Sequence, residues 1–257
     1  MAQYWLDMDR SEAELQAEWS FGDSQLAKVT VSGVPAIRLT PTTTSNFSSA
    51  VWGVPGTGVS PREIYCKSRM ESSANTRYAG PGSCDINGSD PRGIFGAARV
   101  GGANNFTLIR RGTSTVQEQN ITDGPDNTAL YCQRIYVETD SSNNPTMRWK
   151  VWAPSDAEPE TFRFNSTISV NDVYAQEASV GAGVLFRNIS GLLLEITEFG
   201  VGTDNDPAPT GPVGGISAEP FLLRHNPRTN KVIPVLSSPT VTDIGAACVR
   251  PRVTKGY

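Results

Sequence analysis

Leu130-Tyr-Cys-Gln-Arg-Ile-Tyr-Val-Glu138 and Met147-Arg-Trp-Lys-Val-Trp152 decide how this chain is read. In both stretches apolar and polar side chains alternate, the period of a strand with one face buried and the other wet. Between them, Asp140-Ser-Ser-Asn-Asn-Pro145 collects residues that favour a tight turn, so the two stretches form an antiparallel hairpin. Trp149 and Trp152 are three positions apart, so a regular strand sends them to opposite faces. One belongs in a core; the other is left for a platform or the rim of an interface.

Outward from the hairpin the same grammar repeats. Short apolar or alternating runs lie at 26–31, 36–39, 62–70, 93–100, 106–110, 161–169, 179–186 and 191–199, parted by Gly, Pro, Asn, Asp and Ser. Only Ser11-Glu-Ala-Glu-Leu-Gln-Ala-Glu-Trp19 reads as helical, with a Ser followed three residues later by Glu in a capping-box pattern; it is barely two turns long, a short helix or an irregular lead-in. No internal repeat of fixed period occurs. About ten strands, almost no helix, and 24 Gly with 18 Pro in 257 residues predict an all-β fold, an antiparallel two-sheet jelly-roll sandwich. Composition changes at Thr203-Asp-Asn-Asp-Pro-Ala-Pro-Thr-Gly-Pro-Val-Gly-Gly215, a linker or clamped extended segment. The expected organisation is therefore a lead-in over 1–19, the sandwich over 20–202, and a Pro/Gly-rich linker with an extended C-terminal β/loop segment over 203–257. So small a final piece rarely builds its own core and is expected to dock on the sandwich or on another subunit.

Composition excludes several functions. There are 22 basic and 26 acidic residues, a net charge of −4, and no basic cluster longer than Arg110-Arg111, so nucleic acid is set aside as a partner. His225 is the single histidine, which removes most histidine-built metal sites and every two-histidine mechanism. Cys66, Cys84, Cys132 and Cys248 form no Cys-x-x-Cys pair, so zinc ribbons and redox motifs lack support. They read as buried reduced thiols, with Cys66 and Cys84 the pair to check for a disulfide. No apolar run has the length of a membrane helix, and no basic region followed by an apolar run opens the chain, so the expectation is a soluble protein without membrane insertion or a cleaved signal. In that setting six Asn-x-Ser/Thr triplets, at Asn46, Asn87, Asn105, Asn120, Asn165 and Asn188, mean only richness in Asn, Ser and Thr.

Three pieces of the chain carry a resemblance. Tyr131-Cys-Gln-Arg-Ile-Tyr-Val-Glu138 with Met147-Arg-Trp-Lys-Val-Trp-Ala-Pro-Ser-Asp-Ala-Glu-Pro159 is similar to paired strands ending in Lys-x-Trp and an acidic-Pro turn. Val180-Gly-Ala-Gly-Val-Leu-Phe186 is similar to the Gly-containing strand that follows, and Leu192-Leu-Leu-Glu-Ile-Thr-Glu-Phe-Gly-Val201 to a closing strand. Together they resemble the concanavalin A-like (laminin-G-like, glucanase-like) jelly-roll family, above all versions in structural proteins of tailed bacteriophages, over residues 20 to 202. These are packing signatures, not a chemical motif.

The family includes enzymes whose glucanase members place Glu-x-Asp-x-Glu on one strand, the alternate carboxylates sharing a face as a retaining pair requires. The similar strand here reads Glu195-Ile-Thr-Glu198-Phe199. Three apart, Glu195 and Glu198 face opposite ways on an unbulged strand, one toward solvent and the other at an edge or interface, so no catalytic residue is assigned. His225, in Leu223-Arg-His-Asn-Pro227, reads as a loop residue without a Gly-x-Ser-x-Gly elbow. Gly53-Val-Pro-Gly-Thr-Gly58 and Val100-Gly-Gly102 lack the following helix or Lys-Ser/Thr of a phosphate cradle and read as turns. Asp123, Asp126, Asn127, Asp204 and Asp206 offer oxygen ligands for calcium, which laminin-G-like domains sometimes hold, but turn formation explains them more simply. No metal or cofactor is assigned.

Binding is what such a sandwich most readily supports, and Trp52, Tyr78, Trp149 and Trp152 are the candidates for stacking against a sugar face. The resemblance implies a non-enzymatic structural component of a tailed-phage virion, made in the host cytoplasm, in the tail tip, fibre or baseplate. Its partners would be other virion proteins, further copies of itself with a trimer left open, and host-surface polysaccharide. The alternatives are a carbohydrate-binding module or lectin, a capsid decoration protein and, more weakly, a polysaccharide-degrading enzyme.

Overall fold

The computed structural model describes residues 2–21, 24–42, 47–52, 62–71, 77–85, 93–100, 106–111, 114–120, 129–139, 145–162, 164–167, 180–187, 193–203, 205–212, 223–226 and 231–234. In chain order the elements are β1 (Ala2–Trp5), α1 (Glu12–Glu18), β2 (Trp19–Phe21), β3 (Ser24–Val31), β4 (Val34–Pro41), β5 (Phe47–Trp52), β6 (Arg62–Glu71), β7 (Arg77–Asp85), β8 (Gly93–Val100), β9 (Phe106–Arg111) and β10 (Ser114–Asn120). They continue with β11 (Tyr131–Thr139), β12 (Pro145–Trp152), β13 (Phe164–Thr167), β14 (Val180–Arg187), β15 (Leu193–Thr203), β16 (Leu223–Asn226) and β17 (Lys231–Pro234). The chain divides into two units at 218/219, and the second unit contains the β16–β17 hairpin.

The first unit is the antiparallel two-sheet sandwich that the alternation predicts. One sheet, called A here, has eight strands in the order β13-β12-β11-β6-β15-β4-β3, with β1 also paired to β15; the other, B, has seven in the order β10-β9-β8-β7-β14-β5-β2. The deciding hairpin forms as read, Cys132 opposite Trp152 through Thr139 opposite Pro145. Because side chains alternate, one set of each strand fills the space between the sheets. Sheet A sends in Ile64, Cys66 and Met70 from β6, Ile135 and Val137 from β11, Met147, Trp149 and Val151 from β12, and Leu194, Ile196, Phe199 and Val201 from β15. Sheet B answers with Ala50, Trp52, Ala79, Ile94, Ala98, Ala182, Val184 and Phe186, mostly small residues against the large ones opposite. The fit is tightest where Trp149 lies on Gly96: a Cβ there would sit 2.2 Å from the indole Cδ1.

Polar side chains also reach from one sheet to the other, among them Arg62, which donates to Ser83 Oγ at 3.5 Å, and Gln133. Gln133 is fully buried; its amide donates to the Ala79 carbonyl at 3.1 Å and its oxygen accepts from the Ala98 N–H at 3.2 Å, so a residue of sheet A joins the ladder between β7 and β8 of sheet B.

The N-terminal residues are woven into both sheets, β1 on β15 and β2 on β5. Between them α1 starts in a capping box, Ser11 Oγ accepting from the Glu14 N–H at 3.3 Å and the Glu14 carboxylate accepting from the Ser11 N–H at 2.9 Å. The Ser11 hydroxyl, which donates to the Glu14 carboxylate at 2.6 Å, and the Ser11 N–H hold the Glu14 carboxyl below its ordinary range. Leu15 is the helix's buried residue, packed into the main core.

Candidate functional site

Two of the four candidate aromatics are core residues. Trp149 is 0% exposed on Gly96, and Trp52, 4% exposed, packs edge-on to Phe199 at 5.9 Å while its Nε1 donates to Glu18 at 3.1 Å. Neither offers a ring to a ligand, because both fall on the inward parity of their strands. Trp152, three positions from Trp149, lies on the outer face of sheet A, half-buried beside Tyr65, Cys132, Ala208 and Trp5. Tyr78 lies in β7 opposite Arg99; its side chain is outside the described residues.

The outer face of sheet A is built from matched charges. Glu195 and Glu198 both lie on it, which corrects the expectation of opposite faces. The reason is a β-bulge: Ile196 pairs with Ser68 and Glu198 with Lys67, so Thr197 is an extra residue that resets the parity. Thr197 Oγ1 donates to the Lys67 carbonyl at 3.3 Å, a bond that ties the bulge to β6. Glu195, its side chain 0% exposed, accepts from Arg38 Nε at 2.9 Å and from Arg69. Burial pushes its carboxyl up, but the hydrogen bonds and charges of the two arginines prevail and hold it below the ordinary carboxylate range. Glu198 accepts from Lys67 at 2.7 Å and from the Tyr65 hydroxyl at 2.9 Å. A glycosidase acid needs its proton held up to neutral pH, the opposite of what Glu195 experiences.

Two segments close over this face. Residues 205–212 run along it: the Ala208 N–H donates to Glu63 at 2.9 Å, its carbonyl accepts from Arg134 at 2.8 Å, and the Pro207 carbonyl accepts from Gln3 at 2.8 Å. The segment lies so close to β15 that a Cβ on Gly200 would be 2.3 Å from the Pro209 carbonyl oxygen, and one on Gly202 2.0 Å from that of Asp206. From the other side the turn after β12 folds back, the Pro159 carbonyl accepting from Lys150 at 2.8 Å and Glu158 pairing with Lys150 and Arg134. Cations and rings then alternate across β11 and β12: Arg148 sits 4.3 Å from the Tyr136 ring and 5.7 Å from Phe162, and Lys150 4.8 Å from Phe162 and 6.0 Å from Trp152. Trp152 is thus already stacked within the protein, 6.0 Å from Tyr65.

Sheet B has a different outer face. Its middle is floored by small residues, with Ser49 and Val51 of β5, Gly181 and Gly183 of β14, Gly80 and Gly82 of β7, and Ala97 of β8 joined by Phe95 and Leu185; the described positions are buried. At one end of that face the register sets a cross-strand row. Phe47 pairs with Arg187, Tyr78 with Arg99, and Arg99 with Phe106; one step beyond the Phe186–Ala79 pair, the same register puts Arg187 beside Tyr78. Phe47, Arg187, Tyr78, Arg99 and Phe106 therefore follow one another across five neighbouring strands. Sequence reasoning singled out Tyr78 alone, because a cross-strand row exists only once the register is known.

This two-sheet arrangement occurs in known structures. The Emp46p carbohydrate recognition domain, as a point mutant, superposes with a TM-score of 0.50 at 12% identity, over 77% of this chain and 95% of that one. The fold is a lectin-like jelly roll. The carbohydrate-binding module CBM66 from Bacillus subtilis matches at TM-score 0.44 and 11% identity, over 70% of this chain and 94% of that one. An alginate lyase from Aplysia kurodai matches at 0.45 and 10%, over 69% and 87%. No protein-family model and no curated protein matches the sequence.

Cys66 is a free, buried thiol pushed up to about 12 by burial, so the Cys66–Cys84 disulfide does not form; Cys132 is also free. His225, expected in a loop, lies in β16 opposite Val232. The calcium candidates Asp123, Asp126, Asn127 and Asp204 lie outside the described residues, and among the described residues no cluster of His, Cys, Asp or Glu is arranged to hold a metal. No helix among the described residues is long and apolar enough to cross a membrane.

Proposed function

We propose that this chain is a carbohydrate-binding domain without hydrolytic activity. The observation that supports this reading is the two-sheet sandwich itself, which superposes on a carbohydrate recognition domain with a TM-score of 0.50, while the carboxylates most like a glucanase pair, Glu195 and Glu198, are held in ion pairs. On the outer face of sheet A, rings and charges are engaged with one another and with residues 153–162 and 205–212. Fold alone does not assign function, so the test is direct. The full chain, labelled and applied to an array of neutral and acidic glycans, is expected to bind a subset with release of no reducing ends. Absence of binding across the array, or steady turnover of a bound polysaccharide, overturns the reading.

Placement on a tailed-phage virion, at the tail tip, fibre or baseplate or as a capsid decoration, is supported by the strand sequences that resemble such proteins. Immunogold labelling of intact particles with antibody to residues 20 to 202 tests it; distal tail labelling is the result expected of a host-attachment role, and head labelling that of a decoration protein.

A further inference from the structure

We infer that residues 205–212 are an exchangeable strap: the seat they fill on the outer face of sheet A also takes the same segment of a second copy of this chain. The strap is held as a bound peptide is held. The Ala208 N–H donates to Glu63 at 2.9 Å and the Ala208 carbonyl accepts from Arg134 at 2.8 Å, while Arg134 also donates to Glu63, so both backbone groups of one residue meet a single ion pair. Ala208 itself is 3% exposed, packed with Tyr65, Cys132, Trp5 and Trp152. Pro207 and Pro209 on either side have no N–H to give to a ladder, so the strap lies on the face of the sheet and extends no edge. Gln3 of β1 donates to the Pro207 carbonyl at 2.8 Å, and the bare Gly200 and Gly202 let the strap backbone come down onto β15. Ring-lined surfaces take proline-rich segments of other chains in the same manner.

None of these contacts requires the strap to come from the same chain. What brings it back is a turn after β15, where the Asp206 N–H donates to the Thr203 carbonyl at 3.1 Å and Asn205 sits at φ 70°, in the left-handed region. The turn lays Asp206 over Gly202 and Pro209 over Gly200 of the strap's own β15. With that hinge extended, the strap leaves its own seat and meets the equivalent seat of a neighbour; the closed and exchanged forms share every contact except those of the hinge. Each copy carries both halves, a seat and the Pro207-Ala208-Pro209 run that matches it, so a second copy is the partner this surface fits. Tethering gives the strap an effective concentration on the order of mM at its own seat. Exchange therefore gains ground where copies are packed together, or where the hinge is too short to turn.

The test shortens the hinge in the full chain. Deletion of Asp204 and Asn205 removes the turn, and the shortened chain is expected to be a dimer by light scattering at about 50 µM, where the parent is a monomer. Ala208→Glu in the shortened chain brings a carboxylate to Glu63 among buried rings and is expected to return it to a monomer. A shortened chain that is folded and monomeric overturns the inference. So does a dimer indifferent to Ala208→Glu, which shows that copies associate elsewhere. Should the shortened chain fail to fold, the full-length Ala208→Glu chain, its seat emptied, is titrated with a fluorescent peptide of residues 203–212 and read by anisotropy. The peptide is expected to bind there, at least about tenfold more tightly than the same peptide carrying Ala208→Glu, and not to bind the parent, whose own strap holds the seat. No binding to the emptied seat, or equal binding of the two peptides, overturns the inference.

Discussion

Glu195→Gln separates a structural from a catalytic role for the carboxylate that most resembles a glucanase acid. In the folded protein the side chain is 0% exposed and held by Arg38 and Arg69, whose own side chains are 34% and 26% exposed. Removing one partner of a fully buried ion pair costs about 3–5 kcal/mol, because the other charge is stranded. Here the arginines reach water and regain part of their hydration, which brings the expected loss to about 2–3 kcal/mol. For a unit of this size that is a fall of roughly 4–12 °C in midpoint. The loss also has a pH signature. The folded carboxyl sits below its ordinary range, so the unfolded chain takes up the proton first as pH falls. The stabilisation from Glu195 is therefore fully present above the unfolded glutamate value of about 4.3 and is lost as pH drops through the lower folded value. Urea unfolding of parent and variant from pH 7 to pH 3 should show a gap at pH 7 that closes on acidification, with glycan binding at pH 7 unchanged. A variant as stable as the parent at pH 7, or a gap that widens in acid, refutes the ion-pair account.

Other outcomes follow from the core. Gln133→Leu removes both bonds to the Ala79 carbonyl and Ala98 N–H and strands two buried backbone groups, so equilibrium unfolding should show a loss of about 2–4 kcal/mol despite the added hydrophobicity. Gly96→Ala places a methyl against Trp149 and should cost about 1–3 kcal/mol, with a changed tryptophan emission or near-UV spectrum reporting the displaced indole. Cys66 and Cys132 are buried free thiols raised by burial, so a thiol reagent at pH 7 should leave both unmodified in the native protein and modify both after denaturation, read by peptide mass spectrometry.

The sandwich was legible because its strands alternate, and the hairpin of β11 and β12 shows why: one buried face and one wet face write their period into the sequence. β7 shows where legibility ends. Arg77-Tyr-Ala-Gly-Pro-Gly-Ser-Cys-Asp85 is not among the runs that alternation picks out, yet it is a central strand with Pro81 opposite Val184. Its neighbours remove the space a side chain would take: a Cβ on Gly82 would lie 2.4 Å from the Phe95 ring. Glycine there records a close approach, which only the partner strand reveals. β5 and β10 were missed as well, being short and flanked by polar residues that suit loops as easily as edges.

The two halves of the candidate site fail to show in the sequence for the same reason. Glu195 and Glu198 share a face because one extra residue, Thr197, shifts the parity of β15, and Arg187, Tyr78 and Arg99 become neighbours because β7 lies between β14 and β8. In each case the chemistry depends on register, a relation between strands more than a hundred residues apart in the case of Tyr78 and Arg187. Pattern along one strand assigns a residue to a face; only pairing assigns it a neighbour. That distinction also weighs the two readings of function. The acids Glu195 and Glu198 came together in surroundings that neutralise them, each with its own cations. Register has built a salt-bridged wall on sheet A, and carboxylates held that way by cations are poorly placed to act as a hydrolytic pair.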